Sequence, residues 1–207
     1  MTAEATIGAN RKSPRTRYST VAMILHWIIA VAILANLALG WRMGFLTGMA
    51  QFTMFQLHKS VGITVLVLSL ARLSWRLINP PPALPTTMKP WERIAAHGTH
   101  SFFYVMMIGM PLTGWAMVSV SSWNIPTLLW SYVPLPQIGF LQALPTARKA
   151  SVEAATGSIH LALAIGGMAL IFLHVVAALK HQFIVRDGVL GRMIPFVSST
   201  PRTQGDI

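Results

Sequence analysis

The chain has 207 residues, of which 54% are hydrophobic and only 10% are charged. This balance is wrong for a soluble globular domain and typical of a polytopic membrane protein. The sequence contains no cysteine, which excludes disulfides, thiolate nucleophiles and cysteine-held cofactors. Its five acidic residues all lie outside the apolar runs, which argues against a proton pump or an ion-coupled transporter.

Four apolar segments predict transmembrane helices, at about residues 21–41, 54–77, 97–120 and 158–180. The first is too long for a signal-peptide core and lacks a convincing cleavage site. The predicted fold class is therefore all-α, a four-helix transmembrane bundle. We expect one transmembrane domain over residues 18–195, flanked by cytoplasmic tails, residues 1–17 and 196–207.

The connections between these helices differ in composition. Prolines make residues 79–90 an extended spacer, which a short interfacial turn at 91–96 follows. Residues 121–157 form the longest predicted loop, and its apolar stretch is broken by four prolines. We expect this loop to cap the bundle at the membrane surface.

The distribution of Lys and Arg predicts the orientation. The two tails and the loop between the second and third helices carry twelve of these cations, whereas the opposite side carries four, Arg42, Lys59, Arg148 and Lys149. Positive charge accumulates on the cytoplasmic side of membrane proteins. Both termini are thus predicted to be cytoplasmic, and the net charge of +11 indicates membrane orientation rather than binding of nucleic acid.

Histidines inside the apolar segments are the main candidate functional residues. His160 and His174 are 14 residues apart in the last helix, so they share one face at a separation of roughly 21 Å. Gly167 lies midway between them on the same stripe. One helix could thus hold two flat cofactors, with side-chain bulk removed between them.

The predicted depths pair these histidines with two others. His26, near the cytoplasmic end of the first helix, matches His174, and His58, near the outer end of the second helix, matches His160. Two imidazoles without further ligands suit the axial positions of a haem, whereas tetrahedral zinc needs more ligands at one depth. The alternative is four isolated histidines that hydrogen-bond between helices.

His97 and His100 begin the third helix and allow several interpretations. They could bind a quinone headgroup or a haem propionate, or they could be interfacial histidines that bind water or lipid. His181 follows Lys180 and is interpreted as a helix end, where cations meet the carbonyl dipole.

The chain resembles the bacterial cytochrome b561 family of two-haem, four-helix membrane proteins over residues 17–195. The resemblance rests on stretches in a fixed order: RYSTVAMILHW, LHKSVGI, RLSWRLINPPPALP, HGTHSFFY, PLTGW, SIHLALAIGGMALIFLHVVAALKHQFI and RDGVLGRMIP. It implies that His26, His58, His160 and His174 are the axial ligands of two b-type haems. It also places His100 near a quinone site.

The resemblance implies single-electron transfer across the bacterial inner membrane, with ubiquinone as a partner. The extracytoplasmic donor could be a small anion such as superoxide, as in an oxidoreductase, and the four outer cations could attract it or simply anchor helix ends. The alternatives are an electron-conduit subunit of a partner oxidoreductase and a non-catalytic haem-binding membrane protein.

Overall fold

The computed structural model describes residues 17–194, and most of them are helical. The helices are α1 (Thr20–Met43), α2 (Gly48–Ile78), α3 (Pro90–Val120), the short α4 (Gly139–Gln142) and α5 (Thr146–Lys180). Strands β1 (Thr127–Leu129) and β2 (Val133–Leu135) form an antiparallel hairpin between α3 and α4. A π-helical turn (His181–Val185) and a 3₁₀ turn (Leu190–Arg192) follow α5.

Four of these helices are long and apolar enough to cross a membrane, namely α1, α2, α3 and α5 with its π-helical turn. The predicted four-helix bundle is confirmed to this extent. The hairpin is a departure from the all-α prediction. The predicted tails lie outside the described residues, except for Arg17.

Three long helices begin earlier than predicted. α2 begins at Gly48 instead of residue 54, α3 at Pro90 instead of 97, and α5 at Thr146 instead of 158. Apolar periodicity marks only the part of a helix that lipid or protein covers, whereas Pro at the first position and good polar helix formers extend it further. The predicted interfacial turn at 91–96 is consequently the first part of α3, where the Lys89 amide donates to Glu92 Oε2 at 3.1 Å.

The long helices form two layers. α1 packs along α2 and α3 packs along α5, while α2 also contacts α3. Among the described residues, α5 is not a close backbone partner of α1 or α2, and none of its own residues is buried. The space between α5 and the α1–α2 layer is therefore spanned by side chains.

The two ends of the bundle differ. At the end where the described chain starts and stops, here called the terminal end, Arg17 Nη2 donates to Ile194 O at 2.7 Å and Trp27 Nε1 donates to Met193 O at 2.9 Å. The proline-rich spacer joins this network through Arg192 Nη1, which donates to Ala83 O at 2.8 Å. These bonds hold both ends of the described chain against the α2–α3 connection.

The opposite end, here called the hairpin end, is capped by the β1–β2 hairpin. The Gln56 amide nitrogen donates to Pro126 O at 2.8 Å. The Ser60 hydroxyl accepts from the Trp130 amide at 2.9 Å and donates to Gln56 O at 2.8 Å. The predicted cap thus rests on the face of α2 that carries Gln56 and Ser60, and the loop that contains it ends at Pro145 because α5 begins there.

Replacing Ser60 by Ala should loosen the hairpin, because the Trp130 amide loses its acceptor, the buried Ser60 hydroxyl. Leaving a buried donor unsatisfied costs about 1–3 kcal/mol, and the lower half of that range applies to this part-buried bond. Amide exchange in residues 127–135 should therefore accelerate by roughly tenfold, since 1.4 kcal/mol is a factor of ten. Hydrogen–deuterium exchange with mass spectrometry measures this change.

Ser69→Ala is the matched control for this experiment. Ser69 also lies in α2 and is fully buried, but its hydroxyl has no hydrogen-bond partner among the described residues. Equal exchange in the two variants would show that Ser60 does not hold the hairpin.

Candidate functional site

Four histidines from three helices form two facing pairs. His26 of α1 faces His174 of α5 near the terminal end, and His58 of α2 faces His160 of α5 near the hairpin end. The ring centroids are 6.3 Å apart in both pairs, with the rings steeply inclined at 67° and 68°. Both pairs span the space between α5 and the α1–α2 layer.

The separation of the rings suits a metal ion between them. Subtracting two metal–imidazole bonds of about 2.0 Å each from the 6.3 Å between centroids leaves about 1.1 Å per ring. This remainder is close to the distance from the centre of an imidazole ring to its nitrogen. No group of three or more His, Asp or Glu residues that could hold a metal ion occurs among the described residues, so a metal at either pair would need its remaining ligands from a cofactor.

Hydrogen bonds define the tautomer of the pair at the hairpin end. His58 Nδ1 lies 3.1 Å from Asn36 O, and His160 Nδ1 lies 3.1 Å from Met110 O. A carbonyl oxygen only accepts hydrogen bonds, so each Nδ1 must carry the proton. The Nε2 lone pair of each ring is therefore available to a metal.

Glycines make room for the same two rings. A Cβ atom on Gly40 of α1 would lie 3.2 Å from His58 Cε1, and one on Gly114 of α3 would lie 3.3 Å from His160 Cε1. These distances are shorter than ordinary van der Waals contact. Each ring is thus seated against the backbone of a neighbouring helix.

The space at Gly167 between the two pairs is filled. A Cβ atom there would lie only 2.6 Å from Met106 Cε, and Met106 is itself buried. The missing side chain of Gly167 thus does not leave a gap along α5. It lets the Met106 thioether occupy the midpoint between the two histidine pairs.

His100 belongs to the surroundings of the pair at the terminal end. Its ring centroid lies 5.9 Å from that of His174, and Phe103 contacts the same imidazole at 5.4 Å. A cavity of about 360 Å³ opens beside His100 at the terminal end, and its lining combines cations, aromatic rings and prolines. The lining residues are Tyr18, Arg76, Pro81, Pro82, Ala83, Leu84, Arg93, Ala96, His97 and His100.

His181 is more than the helix end that the sequence predicted. Its Nδ1 lies 2.7 Å from Asp187 Oδ2, and both side chains are buried. Asp187 Oδ1 also accepts from the Val189 amide at 3.2 Å. This pair fastens the segment after α5 at the terminal end.

Three of the four cations predicted for the outer side differ in their surroundings at the hairpin end. Lys59 Nζ donates to Pro126 O at 3.2 Å and lies 4.8 Å from the centroid of the Phe55 ring. Arg42 lies two residues after Gly40, the residue of α1 that is packed against the His58 ring. Arg148 is 12 residues before His160 in the continuous helix α5, which places it roughly 18 Å away along the axis.

Several supporting groups escape an analysis of the sequence. Asn36 and Met110 act through their backbone carbonyls, which any residue would provide. Thr113, whose hydroxyl lies 3.0 Å from His160 Nδ1, is an ordinary residue of an apolar helix. The only signal was a glycine four residues after each carbonyl, Gly40 after Asn36 and Gly114 after Met110. A glycine in a transmembrane helix marks a close approach, but it does not identify what approaches.

Comparison with known proteins gives one consistent result. Residues 17–196 match the model of the prokaryotic cytochrome b561 family. The chain is 29% identical to cytochrome b561 homolog 2 of Escherichia coli strain K12 over 187 residues, which cover 88% of this chain and 94% of the relative. It is also 29% identical to a probable superoxide oxidase, CybB, of Yersinia pestis over 183 residues, which cover 86% and 96%.

The family match covers all of the described residues and agrees with the four membrane-length helices. It explains why histidines lie inside apolar helices, because members of this family bind haem b in the membrane. The chain is a multi-pass bacterial membrane protein that belongs to the prokaryotic cytochrome b561 family.

Proposed function

We propose that the chain holds two b-type haems and transfers single electrons between the two faces of the bacterial inner membrane. His26 and His174 would bind one haem, and His58 and His160 the other. The observation that carries this proposal is the tautomer of His58 and His160. With each Nδ1 proton donated to a carbonyl, two lone pairs remain in an apolar bundle, where an unsatisfied polar group is costly.

Each bound haem would supply a one-electron ferric/ferrous couple. His26, His58, His160 and His174 would hold the haems, while the backbone carbonyls fix the tautomer of His58 and His160 and the apolar helices exclude water. Met106 packs the region between the two pairs. The alternative of isolated histidines that hydrogen-bond between helices accounts for the bonds of His58 and His160 to Asn36 O and Met110 O. It gives no reason for the four rings to face each other in two pairs with the same centroid separation of 6.3 Å.

The terminal end is proposed to face the cytoplasm. Twelve of the sixteen Lys and Arg residues lie in the segments assigned to that side, and four lie on the other. This asymmetry follows the positive-inside rule. The donor would then act at the hairpin end and the acceptor at the terminal end.

A quinone such as ubiquinone is the proposed acceptor, in the cavity beside His100. The cavity has the volume of a small-molecule site. His97 and His100 can donate N–H groups to quinone carbonyl oxygens, while Arg76 and Arg93 add positive charge that favours the reduced, more negative molecule. The contact between His100 and His174 puts this cavity next to the proposed haem site.

Superoxide is the proposed donor, because the relative from Yersinia pestis is named a probable superoxide oxidase. Two superoxide ions would each lose one electron and become O₂, and one quinone would take both electrons and two protons. Lys59 and Arg42 lie near the proposed outer haem and can attract a small anion. A conduit that serves a protein donor is the second candidate, since Trp123 and Tyr132 are 81% and 87% exposed beside the hairpin.

The orientation can be tested with reporter fusions in the full-length protein. A reporter after Ile207, or inserted near Thr86, should report cytoplasm, because both positions belong to the cation-rich side. A reporter near Gln137, just before α4, should report the opposite side. Alkaline phosphatase and green fluorescent protein fusions give complementary readings. A cytoplasmic signal at Gln137 would contradict the orientation.

The haem assignment can be tested by counting haems in purified variants. The parent protein should contain two non-covalent haems per chain. His26→Ala and His174→Ala should each lose the same haem, while His58→Ala and His160→Ala should each lose the other, because removing one axial ligand leaves the other imidazole unpaired. Haem extraction and optical spectra measure the ratio. His97→Ala is the control, and it should retain both haems; a ratio near one in the parent protein would contradict the pairing.

The two substrate sites can be separated by stopped-flow spectroscopy of the haem bands. Lys59→Gln should slow anaerobic reduction by superoxide by roughly tenfold at low salt, at the lower end of the range for electrostatic steering, and should leave reoxidation by quinone unchanged. His100→Phe keeps an aromatic ring against His174 but loses the donor group. It should slow reoxidation and leave reduction unchanged.

Arg148→Gln is the matched control for Lys59→Gln. Arg148 lies about 18 Å from His160 along the helix, beyond the Debye length of about 10 Å at 0.1 M salt, so it should have little effect there. Equal effects of the two substitutions would contradict local steering. A protein that superoxide cannot reduce, but a membrane extract can, would favour the conduit.

A further inference from the structure

The two histidine pairs differ in the hydrogen bonds that their rings make. At the hairpin end, His58 Nδ1 has Asn36 O as its partner, and His160 Nδ1 has both Met110 O and the Thr113 hydroxyl, at 3.1 Å and 3.0 Å. Within residues 17–194, the ring nitrogens of His26 and His174 have no hydrogen-bond partner. The two pairs therefore have the same ring geometry but differ in the hydrogen bonds made by their ring nitrogens.

The Thr113 hydroxyl has a defined direction. It donates to Met110 O at 2.7 Å, and a hydroxyl has only one proton to donate. Its oxygen is therefore left to accept, and the proton on His160 Nδ1 is shared between this oxygen and Met110 O. Thr113 thus adds a second acceptor to a proton that the backbone alone would hold.

A hydrogen bond from Nδ1–H to an acceptor increases the electron density on the opposite nitrogen of the ring. Metal-ligating histidines become more basic in this way. A more basic axial ligand stabilises ferric iron over ferrous iron, because ferric iron carries one more positive charge. The hydrogen bonds around a haem are one of the means by which a protein sets its reduction potential.

The surroundings of the pair at the terminal end should raise, rather than lower, the reduction potential of a haem bound there. The guanidinium groups of Arg72 and Arg76 each lie 6.0 Å from the Tyr104 ring centroid, one helical turn after His100. Neither arginine forms an ion pair with a carboxylate within the described residues. Positive charge at this end favours ferrous iron, which carries one positive charge less.

We infer that Thr113 is a positioning residue that acts through His160 and lowers the reduction potential of the haem between His58 and His160 below that of its neighbour. This inference rests on the proposed function, since it needs a haem at each pair. It gives electron transfer between the two haems a direction, because an electron that enters at the hairpin end then moves towards the terminal end with a favourable free-energy change. The hydroxyl would thus contribute to one-way transfer without contacting donor or acceptor.

The test is a potentiometric titration of the purified, haem-loaded protein and its Thr113→Val variant. Valine keeps the shape of threonine and removes the acceptor. The lower of the two midpoint potentials should rise, and the higher one should stay unchanged. A tenfold loss in the preference of the site for ferric iron corresponds to a rise of 59 mV in its midpoint potential. We expect a rise no larger than this, because Met110 O remains as an acceptor for the His160 proton.

Two further variants separate hydrogen bonding from packing. Thr113→Ser retains the hydroxyl and should keep both parent potentials. Thr156→Val removes a hydroxyl that donates only to the carbonyls of Val152 and Glu153 in α5, and it should also leave both potentials unchanged. Electron paramagnetic resonance of the ferric haems gives a second readout, since only one low-spin signal should shift in Thr113→Val.

The inference is overturned if Thr113→Val moves neither potential, moves both equally or raises the higher one while both haems are bound. It is also overturned if Thr113→Ser shifts a potential as much as Thr113→Val. A parent protein that binds fewer than two haems would contradict the proposed function itself. Counting the haems before the titration separates these two failures.

Discussion

The hydrogen-bonding demand of an imidazole inside a membrane governs the arrangement of this bundle. Each neutral imidazole carries one donor and one acceptor, and lipid satisfies neither. At the hairpin end the donor is satisfied by a backbone carbonyl, at 3.1 Å for both His58 and His160. The acceptor on Nε2 remains, and the haem proposed for the pair would satisfy it.

The same demand explains why the helices form two separated layers. If α5 packed closely on α1 and α2, their side chains would fill the space that the histidine pairs now span. Gly40 and Gly114 lose packing area, yet they bring the rings close to the carbonyls that fix their tautomer. The region between the pairs is filled instead by Met106, whose flexible thioether adapts to irregular spaces.

Apolar segments and charge in the sequence were enough to predict the helices and the depths of the histidines. They were not enough to predict the hairpin, the helix starts or the carbonyl partners of the histidines, which depend on the path of the backbone. Membrane-length apolar segments predict the four helices, and His26, His58, His160 and His174 fall at matched depths because a helix rises uniformly. The hairpin was missed because two of its three turn residues, Trp130 and Ser131, have positive φ angles of 52° and 67°, where Asn or Gly would be the usual signal. Helix starts were misplaced because polar first turns resemble loops, as in residues 146–157. The partners of the histidines were invisible because two of them are backbone carbonyls.

The two ends of the bundle suit different kinds of partner. At the hairpin end, the hairpin is bonded to the Gln56, Lys59 and Ser60 side chains of α2, and the proposed donor, superoxide, is small enough to react at that surface. The terminal end offers a 360 Å³ cavity that reaches His100 and, through it, the His174 ring. A quinone that accepts two electrons and two protons would need such a cavity close to a haem. A small one-electron donor would need only to come close to a haem. This difference in shape supports the same proposed direction of transfer as the difference in hydrogen bonding around the two histidine pairs, although the two features arise from different parts of the chain.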